Sequence, residues 1–434
     1  MSFTPRKGRG KFAAVGAGAG IIALVLAGCG GGGQASADPE EFSLLVNSEN
    51  NDLIASMEAL ADGKCADANS TLSLKVETVP QTSLDQRLQL LAGQNGLPVQ
   101  FSAGNAPALT KTLDDSGYVL NLADKLTELD AIGNLEPAAI STIENLYGGV
   151  TVLPYEYNIE GIWYNKQIFA DEGVAVPQTW DELQLAAQTF SEAGFTPFSA
   201  SGDQGWPITR LVGNYLFRSV GPDALKKVAD GEAKLTDPEY VEAAQAVADL
   251  GAKGYFGQGV GSIDTDTAAN QFMNGSAAMY YMGSWALGDF SDGERNKIGT
   301  ENIGFMPFPA VEGGAGDSSQ LAANVGLPVT FNAKTFTDEV GTWLSCISEN
   351  YGSTALAENG TVSGFKVNTP VESVDPLTQE VQDRISDTDE TVLWFEALMS
   401  TKATNTSQTN AAPLVTGSIS AGDFMAKVQK DLDS

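Results

Sequence analysis

The sequence predicts an α/β fold with at least partly parallel sheets. Three observations carry this: apolar strands alternate with amphipathic helices from residue 42 onward, helix-start devices recur in the middle of the chain, and 434 residues allow two or three domains. Phe42 to Val46 is a short apolar strand, and Asp52 to Asp62 sets Leu53, Ile54, Met57, Leu60 and Ala61 on one helical face before Gly63 ends it. Leu72, Leu74 and Val76 alternate with polar residues as a second strand. Ser83 is suited to cap a helix carrying Leu84, Leu88 and Leu91, which Gly93 closes ahead of a third strand over Leu97 to Phe101. Thr179 and Glu182 make a capping box for a helix running toward Gly194, and Thr236-Asp237-Pro238-Glu239 repeats the device with proline in the first turn. Val340, Trp343, Leu344 and Ile347 mark a further amphipathic helix, and a last one runs from Ala421 through Leu432. No internal repeat, charge run or proline-rich linker divides the chain, so two domains would have to share several crossovers.

Hydrophobic residues at 42% and aromatic residues at 8% match ordinary globular usage and exclude disorder over most of the chain. The 55 Asp and Glu outnumber 24 Lys and Arg, a formal net charge of -31 that repels phosphate backbones and anionic lipid at long range. Nucleic acid is therefore not an expected partner. There is no histidine, which removes Ser-His-Asp and Cys-His nucleophile pairs and imidazole-ligated zinc together. An enzyme of this composition would have to run on carboxylates.

Arg6, Lys7, Arg9 and Lys11 form a basic head, followed by an uncharged run of about 15 residues from Phe12 to Leu26. That run reads as a signal-peptide core, short of the roughly 20 residues that span a bilayer. Small residues close it at Leu26-Ala27-Gly28-Cys29, which resembles the bacterial lipobox and implies a signal peptide over residues 1–28 with lipid on Cys29. A protein anchored to the extracellular face of the cell membrane is expected, with residues 29–39 as a glycine-rich tether. Cys65 and Cys346 would then lie outside the membrane, where disulfides persist.

Weaker signals carry no chemistry. Gly257, Gly259 and Gly261 lack the feeding strand and the spacing of a dinucleotide loop. Asp264 with Asp266, and Asp387 with Asp389, lack the glycine and glutamate of a calcium loop and read as solvated helix starts. No carboxylate pair stands out among the 55 acidic residues, and neither metal nor cofactor is expected.

Four segments carry a stronger signal. Pro154 to Lys166 reads PYEYNIEGIWYNK and is followed by Gln167-Ile168-Phe169; Pro177 to Leu183 reads PQTWDEL; Phe272 to Met279 reads FMNGSAAM and leads to Gly283-Ser284-Trp285; Ile303 to Pro309 reads IGFMPFP. In this order and spacing, behind a lipobox, they resemble family 1 of the extracellular solute-binding proteins, the maltose-binding-protein-like carbohydrate receptors of ABC importers. The resemblance runs from about residue 42 to the end. It implies two α/β lobes of the type II periplasmic-binding-protein kind, joined by crossing segments, with ligand in the cleft between them and closure by hinge motion. Crossings are expected near Pro154 to Asn158, Leu321 to Leu327 and Pro370 to Gln379. Lobe one would combine residues 40–156 with about 325–375, and lobe two residues 157–324 with about 376–434. Both cysteines fall in lobe one, which implies a Cys65–Cys346 disulfide.

Within that resemblance three indoles are expected to line the cleft, because the C–H face of a sugar stacks on indole. They are Trp206, between Gly205 and Pro207; Trp285, ending the Gly-Ser-Trp motif; and Trp394, ahead of Phe395-Glu396. Trp163, Trp180 and Trp343 sit inside strand or helix patterns and are expected to be structural. Asn47, Glu49, Asn50, Asn105, Glu156 and Asn158 match cleft-facing regions and are candidate partners for hydroxyls, against capping or turn duty for asparagine and simple solvation for glutamate. The expected function is a monomeric lipoprotein that captures an oligosaccharide or small glycoside, performs no chemistry on it and presents it to the permease transmembrane subunits. A receptor for a polyamine or amino acid, a secreted carboxylate-dependent glycosidase, and a non-transport adhesin or sensor stay open as alternatives.

Overall fold

A computed structural model describes residues 38–48, 50–103 and 107–434; the expected signal peptide and Cys29 lie outside the described residues. The strands are β1 (Phe42–Asn47), β2 (Leu74–Val79), β3 (Gln100–Ser102), β4 (Leu153–Asn165), β5 (Thr196–Ser199), β6 (Ala277–Gly283), β7 (Ile303–Met306), β8 (Leu321–Phe331) and β9 (Thr391–Val392). They form one mixed sheet in the order β2-β1-β3-β8-β4-β6-β5, with β7 added to β4 and β9 to β8. β1 is parallel to β2 and β3, and β5 to β6, the pairing that helical crossovers produce.

β4 and β8 are long and antiparallel, in register from Leu153 opposite Val329 to Glu160 opposite Ala322. Their ends serve different parts of the sheet. β8 meets β3 through Val329, Thr330 and Phe331, whereas the far end of β4 meets β6 and β7 from Glu160 to Asn165. Two α/β lobes thus hang from one pair of crossing strands. A further passage follows Phe365, which bridges to Leu135, and leads into the helix Pro376–Ser386.

Each end has its own core. Around β1, Leu44, Val46, Met57, Leu60, Trp343 and Ile347 pack together. Beyond β4, Leu183, Phe190, Leu211, Leu216, Val247 and Phe424 do the same. A third cluster straddles the crossing, where Tyr157, Ile159 and Trp163 of β4 meet Phe272, Tyr280 and Ala323. Trp163, Trp180 and Trp343 are buried in these cores. Burying an indole leaves its N–H to be satisfied, and Trp163 Nε1 donates to the Met282 carbonyl at 3.0 Å, Trp343 Nε1 to that of Leu72 at 2.8 Å. Cys65 and Cys346 are joined by a disulfide, Cα atoms 5.8 Å apart, which ties the turn after the helix Asn51–Asp62 to the helix Asp338–Asn359.

Several element boundaries differ from expectation, each for a local reason. The capping box of Thr179 and Glu182 starts the helix Trp180–Glu192. At the helix Pro238–Ala252 no such box forms: Asp237 is the N-cap, and its carboxylate turns back to the Lys234 amide at 2.8 Å. Ser83 is not a cap, because that helix runs Gln81–Gly93 and is entered directly from Pro80, whose fixed φ suits a helix entry. Leu72 ends an unforeseen short helix, Ala66–Thr71, instead of starting a strand. β3 begins at Gln100 because the Leu97 and Val99 carbonyls are taken by the side-chain and backbone N–H groups of Asn332. Asp264 does start a helix, accepting from the Thr267 amide at 2.7 Å. Asp387 instead ends the helix Pro376–Ser386, whose start is Asp375.

Candidate functional site

Side chains two apart on a strand share a face, and on β4 this brings Glu156, Asn158 and Glu160 to one side. Asn158 Nδ2 donates to Glu156 Oε1 at 3.0 Å, while Ser284 Oγ donates to Asn158 Oδ1 at 3.1 Å and accepts from the Ile159 amide at 3.2 Å. Gly326 of β8 lies opposite Glu156. A Cβ there would stand 2.9 Å from Glu156 Oε2 and 3.0 Å from Asn158 Nδ2, closer than such atoms pack, so only glycine leaves the carboxylate its place. These groups, with Asn50 and Asp52 from the start of the helix Asn51–Asp62, Trp285 after β6, and Tyr155 and Tyr351, wall a cavity of about 450 Å³. That volume lies within the range typical of small-molecule sites.

A second layer of aromatic and ionic groups adjoins this wall. Trp285, 38% exposed, lies against Trp206 with ring centroids 5.9 Å apart. Trp206 begins the helix Trp206–Ser219, and Arg210 follows one turn later on the same face. The Arg210 guanidinium lies 5.2 Å from the Trp206 centroid and 5.4 Å from that of Trp394, the geometry of cation–π attraction. It pairs with Glu160 and, through Nε, with Glu396 Oε2 at 3.7 Å. Glu160 also accepts from the Tyr281 hydroxyl at 3.0 Å and Asn324 Nδ2 at 3.1 Å; Glu396 accepts from Thr209 and from Ser407 at 3.2 Å.

Burial dominates the electrostatics here. It opposes the charge on Arg210, yet Glu160 and Glu396 more than offset it and hold the guanidinium above its ordinary pKa. Burial pushes the Glu396 carboxyl up against the pull of Arg210. It also pushes up Glu156, where the charge of Asp52 adds to the rise and the hydrogen bond from Asn158 opposes it.

Of the residues singled out by sequence, Asn50, Glu156, Asn158 and Trp285 line the cavity; Trp206 touches Trp285, and Trp394 joins the group through Arg210. Asn47 is buried at the end of β1 and does not line it. Glu49 and Asn105 lie outside the described residues. Sequence reasoning missed Asp52, Tyr155 and Tyr351 in the wall and the Glu160–Arg210–Glu396 group beneath the indoles. Two of these had a signal: Glu160 continues the period-two series of Glu156 and Asn158, and Arg210 stands four residues after Trp206 in a helix. Among the described residues no cluster of three or more His, Cys, Asp or Glu is placed to hold a metal ion, and no helix is long and apolar enough to cross a membrane.

The profile of the bacterial extracellular solute-binding proteins matches residues 50–341. A probable sugar-binding periplasmic protein from Rhizobium meliloti is 26% identical over 227 residues, 50% of this chain and 53% of that protein. The chain spans about half the length of the curated relatives it matches. Among solved structures, a probable secreted solute-binding lipoprotein from Streptomyces coelicolor superposes with a TM-score of 0.77 at 18% identity, covering 92% of this chain and 100% of that one. A chitin oligosaccharide binding protein gives 0.70 at 25% identity, covering 90% and 98%.

Proposed function

We propose that this chain, which belongs to the bacterial extracellular solute-binding protein family, is the receptor lipoprotein of an ABC sugar importer. It captures an oligosaccharide or small glycoside between two lobes, performs no chemistry on it and delivers it to the permease transmembrane subunits. The observation that carries this reading is the cavity of about 450 Å³ in which the indole of Trp285 faces the same space as Asn50, Glu156 and Asn158. An aromatic face beside fixed polar groups is what a sugar ring, apolar on its C–H face and ringed by hydroxyls, requires. The sugar-binding relatives support it. Lobe one takes residues 40–156 with about 325–375 and lobe two residues 157–324 with about 376–434, hinged where β4 crosses β8. Lipid on Cys29 holds the monomer at the extracellular face; loss of membrane partitioning in Cys29→Ala would support the anchor, and unchanged partitioning would refute it.

The test of function is a thermal-shift screen against mono- and oligosaccharides, since a ligand bound only by the native state raises apparent stability by mass action. One or more sugars should raise the unfolding temperature, and Trp285→Ala should weaken the best of them by about 30-fold, the usual effect of truncating a buried aromatic contact. A panel without a single shift would overturn the sugar reading, as would hydrolysis of a chromogenic glycoside overturn the absence of chemistry.

A further inference from the structure

The cavity wall carries a charge imbalance that a neutral ring does not answer. Asp52, at the start of the helix Asn51–Asp62, and Glu156, on β4, both line it, and no Lys or Arg does so among the described residues. The cation beneath the neighbouring indoles, Arg210, is already held by Glu160 and Glu396, which leaves that group net negative as well. The charge of Asp52 bears on Glu156, adding to the burial that raises it, as a like charge in the same site does. Asn50 points to a ligand independently. The residue is 4% exposed, lines the cavity and makes no side-chain cap hydrogen bond to its own helix, so its amide is placed to meet a bound polar group.

We infer that the cleft takes a saccharide bearing a protonated amine, with its ammonium against Asp52 and Glu156, a ring hydroxyl on Asn50 and its C–H face on Trp285. This rests on the sugar-receptor reading and narrows it. An ammonium between two carboxylates relieves their repulsion and presents three N–H donors to acceptor-only oxygens. A hydroxyl in its place leaves the repulsion standing, and a carboxylated sugar adds a third negative charge. Trp285 also attracts a cation over its face.

The test is titration calorimetry of the full chain at neutral pH against one β-1,4 backbone in four forms: cellotetraose, its N-acetylated amino analogue, the free amine and a carboxylated analogue. Glucosamine, galactosamine and mannosamine, each against its hydroxyl parent, extend the comparison to other rings. At least one amine should bind about tenfold tighter or more than its hydroxyl parent, and the carboxylated form should not bind. In both Glu156→Gln and Asp52→Asn that ratio should fall below about threefold; two variants, each checked for cooperative thermal unfolding, guard against one that fails to fold. Neutral forms binding as tightly as the amines, or acceptance of the carboxylated form, would overturn the amine preference and leave sugar capture standing. Failure of every saccharide to bind, or spermidine bound in their place, would remove the sugar-receptor reading and this inference with it.

Discussion

Arg210 is the side chain on which the indole arrangement depends. It is 14% exposed, faces two tryptophans and pairs with carboxylates that are 0% and 2% exposed. Removing one member of a buried ion group strands the others, at a cost of about 3 to 5 kcal/mol. Arg210→Met should therefore lower the stability measured by urea unfolding by about that amount, whereas an exposed arginine replaced in the same way would change it little. Glu156 makes a prediction of opposite character. Burial, ahead of Asp52, raises its carboxyl above the ordinary 4.5, so the folded chain keeps a proton that the unfolded chain releases. That contribution is fully present below about 4.5 and is lost as pH rises through the folded pKa. The stability of Glu156→Gln relative to wild type should accordingly grow from pH 4.5 toward neutrality, followed by thermal melts across that window; a constant difference would contradict it.

At the scale of elements, the disulfide and the crossing strands divide the work between rigidity and motion. Cys65 and Cys346 are 281 residues apart in sequence, and both belong to the core built around β1. Closing so long a loop restricts the unfolded chain, and the chain-entropy account puts its ceiling at roughly 5 kcal/mol. Reduction should lower the denaturation midpoint, and Cys65 and Cys346 should titrate with a thiol reagent only after it; unfolded, unreduced protein that reacts at both would refute the bond. Element types were largely legible because hydrophobic period and cap chemistry are local. Thr179 and Glu182 act three residues apart, and the apolar stripe around Trp343 needs only its own helix. Boundaries slipped where the deciding partner was remote, as with Asn332 claiming the carbonyls before β3. The site divides in the same way. Trp285 and Asn158 were carried by motif; Arg210 and Glu160 were missed although their spacing offered a signal, and nothing local announces that Glu396 would meet an arginine 186 positions earlier.

For the whole molecule, the sheet concentrates the link between lobes in β4 and β8 while the cores on either side stay separate. A ligand touching both sides of the cleft favours the closed arrangement by its differential affinity for it. Small-angle scattering should show a smaller radius of gyration when the best sugar from the screen is saturating, and an unchanged radius would remove the closure argument. The chain holds three cysteines, and the bonded pair has a practical corollary. In residues 38–434 both thiols are consumed by one bridge, so a cysteine introduced by Thr361→Cys, on the cavity wall, would be the sole reactive thiol there. An environment-sensitive dye attached to it would report the arrival of solute by its emission colour, turning the receptor into an optical sensor whose own covalent chemistry needs no redesign.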